Sequence, residues 1–480
     1  MKQEATNAYS RQKAEELLQC FWIKFNNQSF YIVMPLPGEN NYKNDKIKVI
    51  ADFVAFSDKT MFLVNAPQVI IDQREVFKSE KPFTGEIILD GLDLDKLSAE
   101  STVSKVASSP VATLPVVGEI IKSVNVESGT KLLKTASGFV IGTAEGNIVH
   151  FDSKLQKQNS FKAEGEILSL ISSNDEGIIA GSASGKLYRF DSNLKMKWQV
   201  TIPQNNWYAL WYSLGGPQVK TLFTTGFNGE SIIFAGMGDA TLQAVSDDGK
   251  LLWNRILEYG IPCELIAGDF RGKGTELIAG TGIISSTPEM YVVTPAGKIM
   301  FNSRAQNSGA GTGITLLRKV DDKLLAGTSY GTLGLYRINK DSLGTKGAIH
   351  KIWDISLGRK LNGAAMFSQA GKTIIAAISD SGFINAFDMQ GKQLWFTDLD
   401  HPVKLIKGIP DKNELIVVTL KNIFIIDTDG IKLAVQEMPE NVIDFSIAKA
   451  DGETFITILT EDNIIQLRLS SANCITRIGE

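Results

Sequence analysis

GIIAGSASGKLYRFDSNLKMKW, residues Gly177–Trp198, decides the fold. The run Ile178-Ile179-Ala180-Gly181 reads as an inner strand buried on both faces, because a short unbroken apolar run between turn residues has no polar side to offer water. The small residue at its end leaves room for a neighbouring unit near a crowded axis. A glycine-containing turn follows, then the alternating strand Leu187-Tyr188-Arg189-Phe190, an Asp-led turn at Asp191, and an outer strand that ends in Trp198. Asp side chains bond the backbone of such turns, and a glycine after them supplies positive φ.

The same order of events recurs along the chain. GFVIGTAEGNIVHFDSKLQKQ from Gly138, SIIFAGMGDATLQAVSDDGKLLW from Ser231, ELIAGTGIISSTPEMYVVTPAGKIMF from Glu276, KLLAGTSYGTLGLYRI from Lys323 and TIIAAISDSGFINAFDMQGKQLW from Thr373 are copies. ELIVVTLKNIFIIDTDGIKLAV from Glu414 and TFITILTEDNIIQLRL from Thr454 are weaker ones. The small or apolar position falls at Gly142, Gly181, Gly236, Gly280, Gly327, Ala377, Val418 and Ile458. The mean spacing is about 45 residues, the size of a four-stranded propeller blade. Asp152, Asp191, Asp388 and Asp427 each close an alternating strand, and Trp198, Trp253, Phe301, Trp353 and Trp395 recur near the end of the outer strand. Recurrence at one place in each unit assigns those aromatics to packing between blades. A lone blade has two apolar faces to bury, and only a closed ring buries both. The expected fold is all-β: an eight-bladed β-propeller over residues 117–480, with seven blades as the alternative. In the last unit Asn441–Ala448 reads as the first strand and Asn473–Ile478 as the last, while Gly118–Val126 is available as a closing strand from the N-terminal side.

Residues 1–91 read as a small β-sandwich-like module. Its strands are expected at Phe21–Phe25, Ser29–Met34, Val49–Phe56, Met61–Val64, Val69–Asp72 and Glu86–Leu89, behind a short amphipathic helix at Arg11–Cys20. Residues 92–116, rich in Ser, Ala, Val and Thr, have linker composition.

Lys+Arg number 49 against 53 Asp+Glu, for a net charge of -4, which argues against a nucleic-acid binder. Cys20, Cys263 and Cys474 are far apart, so neither a disulfide framework nor a CxxC metal or redox motif is expected. His150, His350 and His401 have no metal-ligand spacing. The polar N-terminus lacks the apolar core of a signal peptide, and no apolar run reaches membrane-spanning length; an export signal would lie outside this sequence. The run Gly309-Ala310-Gly311-Thr312-Gly313 is glycine-rich, but a strand follows it where a phosphate cradle needs a helix N-terminus. Asp247-Asp248 and Asp321-Asp322 fall in turns. In AGDFRGKGTELIAG (267–280), which leans toward a calcium-loop pattern, Arg271 and Lys273 stand where acids would be required. No catalytic, cofactor or metal residue is assigned. The longest spacing between units, Gly181 to Gly236, holds QNNWYALWYSLGGPQ. Its Trp207, Tyr208, Trp211 and Tyr212 lie outside the packing positions and are the candidate ligand contacts.

The motif G-x-x-x-G-x-[LI]-x-x-x-D-x-x-G-K-x-x-W, best matched at 181–198, 236–253 and 377–395, resembles the quinoprotein-type (PQQ-like) propeller repeat. That family includes quinone-dependent dehydrogenases, an outer-membrane assembly lipoprotein and many envelope proteins. The stretch DFVAFSDKTMFLVNAPQVII with SEKPFTGEIILD resembles the β-rich tail module of heparinase-like polysaccharide lyases, and implies a polysaccharide-related context without lyase activity. The adjacent cysteine pair of quinone dehydrogenases is absent, so the repeat implies the fold without the cofactor. The expectation is therefore a non-catalytic binding or scaffold propeller of the bacterial cell envelope or exterior, monomeric, recognising a protein or a glycan and no nucleic acid. The alternatives are a carbohydrate-active or quinone-dependent enzyme, or an accessory domain of a polysaccharide-degrading protein.

Overall fold

The computed structural model describes residues 18–25, 28–35, 47–50, 53–56, 60–71 and 74–88 as strands. It also describes residues 114–470, apart from 205–215, 228, 258–259, 283–288, 305–312, 340–348, 370, 400, 411 and 451. Eight four-stranded antiparallel sheets follow one another from Gly118 onward. The first strands of the blades are Gly129–Lys134, Ile167–Ser172, Val219–Phe227, Ile261–Gly268, Ile314–Val320, Leu361–Gln369, Leu405–Gly408 and Val442–Ala450. From blade 1 to blade 7 these strands lie against their neighbours, and that of blade 8 lies against that of blade 1, so they surround the ring axis and the ring is closed.

The run Ile178-Ile179-Ala180-Gly181 is thus the second strand of blade 2, not the innermost. It is buried along its whole length between Ile167–Ser172 and Lys186–Phe190. Its role toward the axis is as read. A Cβ on Gly181 would stand 2.4 Å from Val219 of the next blade, and one on Gly142 would stand 2.5 Å from Ile167. Gly236, Gly280 and Gly327 likewise face Pro262, Ile314 and Leu361 on the first strand of the following blade.

The Asp-led turns form as expected. Asp152, Asp191, Asp388 and Asp427 each accept, through Oδ1, the backbone N–H groups two and four residues on. The positive-φ residue is Gly391 and Gly430 in two of these turns but Leu155 and Leu194 in the other two. The expected glycine is replaced there by a buried leucine.

The outer-strand tryptophans dock on the next blade with one shared geometry. Trp198, Trp253, Trp353 and Trp395 donate Nε1–H to the carbonyls of Asp247, Pro295, Met389 and Thr428, at 2.7, 2.8, 3.0 and 2.7 Å. Each indole covers a glycine two residues past that carbonyl, namely Gly249, Gly297, Gly391 and Gly430. All four glycines have positive φ, and a Cβ would come within 3.0 Å of the ring or closer. Phe301 is buried in the core shared by blades 4 and 5. Burying each such aromatic contributes about 1.5–3 kcal/mol.

Closure uses the N-terminal side of the ring. Gly118–Asn125 pairs antiparallel with Asn463–Leu469 and is the outer strand of blade 8. Asn473–Ile478, expected in that place, lies outside the described residues. Just ahead of the closing strand, the Pro115 carbonyl accepts from the Val435 N–H of blade 7 at 3.0 Å, and Val117 is buried against Ala434. The last blade is therefore stitched from both ends of the repeat region, a register that locks the ring by ordinary sheet hydrogen bonds.

In the N-terminal region six strands form one hydrogen-bonded sheet. The expected strand Val49–Phe56 is two strands, Ile47–Ile50 and Phe53–Phe56. They share one edge of the long strand Thr60–Ile71, into which Met61–Val64 and Val69–Asp72 largely merge. Register shifts in the pairing of that strand with Arg74–Ile88 permit its length. Leu18–Cys20, expected as the end of a helix, belong to the strand Leu18–Phe25, because the whole stretch pairs with Gln28–Pro35. Residues 11–17 lie outside the described residues.

Candidate functional site at the ring axis

The first strands carry an unusual set of charges. Lys131, Lys134, Lys220, Arg318, Lys319, Lys407 and Lys449 stand against Glu264 and Asp444, in a chain that is acidic overall. Most first strands also hold a register shift near their start, between Gly129 and Lys131, Val219 and Thr221, Pro262 and Glu264, or Ile314 and Leu316. The extra residue at each shift, such as Lys220, Cys263 or Thr315, is freed from the regular alternation.

Two of the cations at or beside the axis are paired with acids. Lys404 Nζ lies 2.7 Å from Asp380 Oδ1, which Asn362 Nδ2 also reaches at 2.8 Å. Lys407 Nζ lies 3.1 Å from Asp444 Oδ1, donates to the Phe445 carbonyl and sits 4.6 Å above the Phe445 ring. Among the described residues, Lys131, Lys220 and Arg318 of blades 1, 3 and 5 are exposed side chains with no carboxylate at salt-bridge distance; Arg318 donates to the Leu317 carbonyl.

Glu264 of blade 4 stands among them. Burial pushes its carboxyl up to about 7, against the opposing pull of Arg318, the Leu317 amide and Lys131. Blade 1 is three blades away from blade 4, so the influence of Lys131 on Glu264 runs across the axis rather than along a sheet. Burial and the nearby Glu264 raise the Cys263 thiol to about 11, with Lys220 pulling the other way, so the thiol stays protonated; Sγ donates to the Ile261 carbonyl at 3.3 Å. On the neighbouring strand the Thr315 hydroxyl oxygen is buried without a hydrogen-bond partner.

Other polar groups singled out by their chemistry serve the framework. Asp269 Oδ1 accepts the N–H groups of Gly272 and Lys273, and the buried Arg271 forks onto the buried Glu276. The loop 267–280 thus spends its acids on its own backbone and its own arginine. Arg189 is fully buried, bonded to Asp175 and to the Phe190 carbonyl. Asp175 is partly desolvated, yet bonds from Ser173, Lys197 and Arg189 hold its carboxyl well below the usual range. Ser137 Oγ lies 3.1 Å from His150 Nε2, but Nδ1 of this buried ring has no partner, and burial lowers its basicity. No carboxylate orients that imidazole as a base would require. Asp247, Asp248, Asp321 and Asp322 are in turns, as read. A strand does follow Gly313; residues 309–312 lie outside the described residues, as do Trp207, Tyr208, Trp211 and Tyr212.

Sequence reading missed the axial residues altogether. The signal available was a charge in the middle of an apolar strand, in IPCELIAG and ITLLRKV.

The chain matches no family model and no curated protein. Among solved structures it is similar to BamB from Moraxella catarrhalis, at 15% identity over 73% of this chain and 98% of that one, with a TM-score of 0.53. It is also similar to Sqt1 from Saccharomyces cerevisiae, at 11% identity over 74% and 100%, TM-score 0.58. A third is the computationally designed Ika8 protein, at 14% identity over 74% and 98%, TM-score 0.54. The class defined is the β-propeller. One of the three structures is a designed protein, so likeness of this degree speaks for the fold and not for a role. Among the described residues no helix is long and apolar enough to cross a membrane.

Proposed function

We propose that this protein is a non-catalytic binding or scaffold propeller of the bacterial cell envelope or exterior, with a protein or glycan partner. One observation carries the reading. The indoles of the repeats are engaged in joining blades and the buried ion pairs in holding single blades together, while Lys131 and Lys220 at the ring axis have no salt-bridge partner among the described residues, which suits binding and not bond cleavage. Residues 1–91 are a separate β-rich module in this reading, joined by the linker 92–116 to the propeller 117–480. The resemblances of the repeat and of the N-terminal stretch support the envelope and polysaccharide setting. Trp207, Tyr208, Trp211 and Tyr212 are the proposed aromatic contacts for the partner. A glycan array and a pull-down with the full chain test this. Capture that is lost when those four residues are changed to Ala supports it. Failure to capture any partner, together with turnover in a substrate screen, overturns it in favour of an enzyme.

A further inference from the structure

We infer that the ring axis beside Cys263 and Glu264 is a binding site for a small multivalent oxyanion, a phosphate or sulfate group. This deepens the proposed binding role and names a ligand class for a different part of the ring from the aromatic stretch. The placement comes from topology. Four first strands, of blades 1, 3, 4 and 5, bring Lys131, Lys220, Glu264 and Arg318 to the ring axis, with Lys131 facing the others across it. Lys131 and Arg318 both act on Glu264, and Lys220 acts on the adjoining Cys263.

The contrast within the ring is the second argument. Lys404 and Lys407 are neutralised by Asp380 and Asp444, whereas Lys131, Lys220 and Arg318 have no carboxylate at salt-bridge distance among the described residues. Like charges gathered around one axis repel, and the repulsion is relieved when an anion sits between them. Their neighbours can complete the site. Thr315 has a buried hydroxyl with no partner, and Glu264 in its acid form can donate a hydrogen bond to an oxyanion. The first strands of blades 2 and 6 bring no ionisable group, and Lys407 of blade 7 and Asp444 of blade 8 are paired with each other. Lys134 donates to the Ile447 carbonyl and Lys319 sits over the Phe270 ring, so Arg318 and Lys131 are the charges that act on Glu264, with Lys220 acting on Cys263 beside it.

The sign of the pH effect follows. Below about pH 7 Glu264 is neutral and the site carries three positive charges; above it the carboxylate competes with the ligand. Sulfate keeps its charge across this range, so a change in its affinity reports the protein. Titration calorimetry of the full chain with sodium sulfate should give saturable binding that is tighter at about pH 6 than at about pH 8. Lys131→Gln, Lys220→Gln and Arg318→Gln should each weaken it about tenfold, as loss of one charge-assisted contact does. Lys250→Gln, at an exposed lysine paired with Asp248 away from the axis, should leave it unchanged. Glu264→Gln should retain binding and flatten the pH dependence. Inorganic phosphate, phenyl phosphate and phenyl sulfate separate the sources: equal binding of the esters assigns a group carried on a small molecule, and their exclusion assigns the free ion. Absence of saturable sulfate binding, or equal binding by the triple Gln variant, overturns the inference. Partner capture that persists in that variant leaves the wider binding role standing, so the two readings fail separately.

Discussion

Two kinds of joint hold neighbouring blades together, and they solve the same packing problem from opposite sides. Between blades 2 and 3, 3 and 4, 5 and 6, and 6 and 7, an indole from the outer strand lies on a glycine of the next blade's turn. Between blades 8 and 1, and 1 and 2, that turn carries Leu155 or Leu194 in place of the glycine, and no indole faces it. Lys122 donates to the Lys154 carbonyl instead, at 2.7 Å, and Asn159 Nδ2 donates to the Asn193 carbonyl at 2.9 Å. The leucines occupy left-handed backbone with φ of 53° and 63°, which costs about 1–2 kcal/mol. In return they are nearly fully buried, in cores built from both adjoining blades. The apolar plug comes from the strand in one joint and from the turn in the other, and only the polar donor to a turn carbonyl is common to both. The two positions are thus read together: a glycine calls for an indole, and a leucine calls for a slim donor.

The comparison is broken most severely by putting the wrong turn residue under an indole. Gly297→Leu adds left-handed strain to a Cβ only 2.6 Å from the Trp253 ring, and should cost about 4 kcal/mol or more, read as loss of the folding transition in thermal melts. Next, Trp253→Ala leaves an unfilled joint and should cost about 3–5 kcal/mol in denaturant unfolding. The half-exposed Trp198, changed in the same way, should cost clearly less. A sharper test converts one joint into the other. Trp253→Asn with Gly297→Leu should be more stable than the two single changes predict, by about 1–3 kcal/mol in a double-mutant cycle. Simple additivity would show that the pairing of turn and strand residue carries no shared energy. The smallest effects belong to the polar donors: Asn159→Ala should cost about 1 kcal/mol, and the exposed Lys122→Ala less than that.

Much of this ring is legible in the chain before folding. The Asp-led turns work locally, because Oδ1 reaches amides only two and four residues away, so Asp191 and Asp388 declare their turns in sequence. The recurring tryptophans declare a joint for the same reason: each repeat needs one. The innermost strands are less legible. A residue inserted at a register shift breaks the alternation that marks a strand, as in Val219–Phe227 and Ile261–Gly268. The apolar second strand, buried throughout, therefore reads as the inner one. The candidate site was illegible for a different reason. Lys131 and Glu264 stand 133 positions apart in sequence and meet only because the ring closes.

By itself the sequence determines the repeat unit, its turns and the residues that join one blade to the next, since these rest on contacts within a unit or between consecutive ones. Tertiary structure alone decides which strand completes the last blade and which charges from separate blades share the axis. Both depend on the ring returning to its starting point, where the field at one carboxyl is the sum of groups that no local pattern connects.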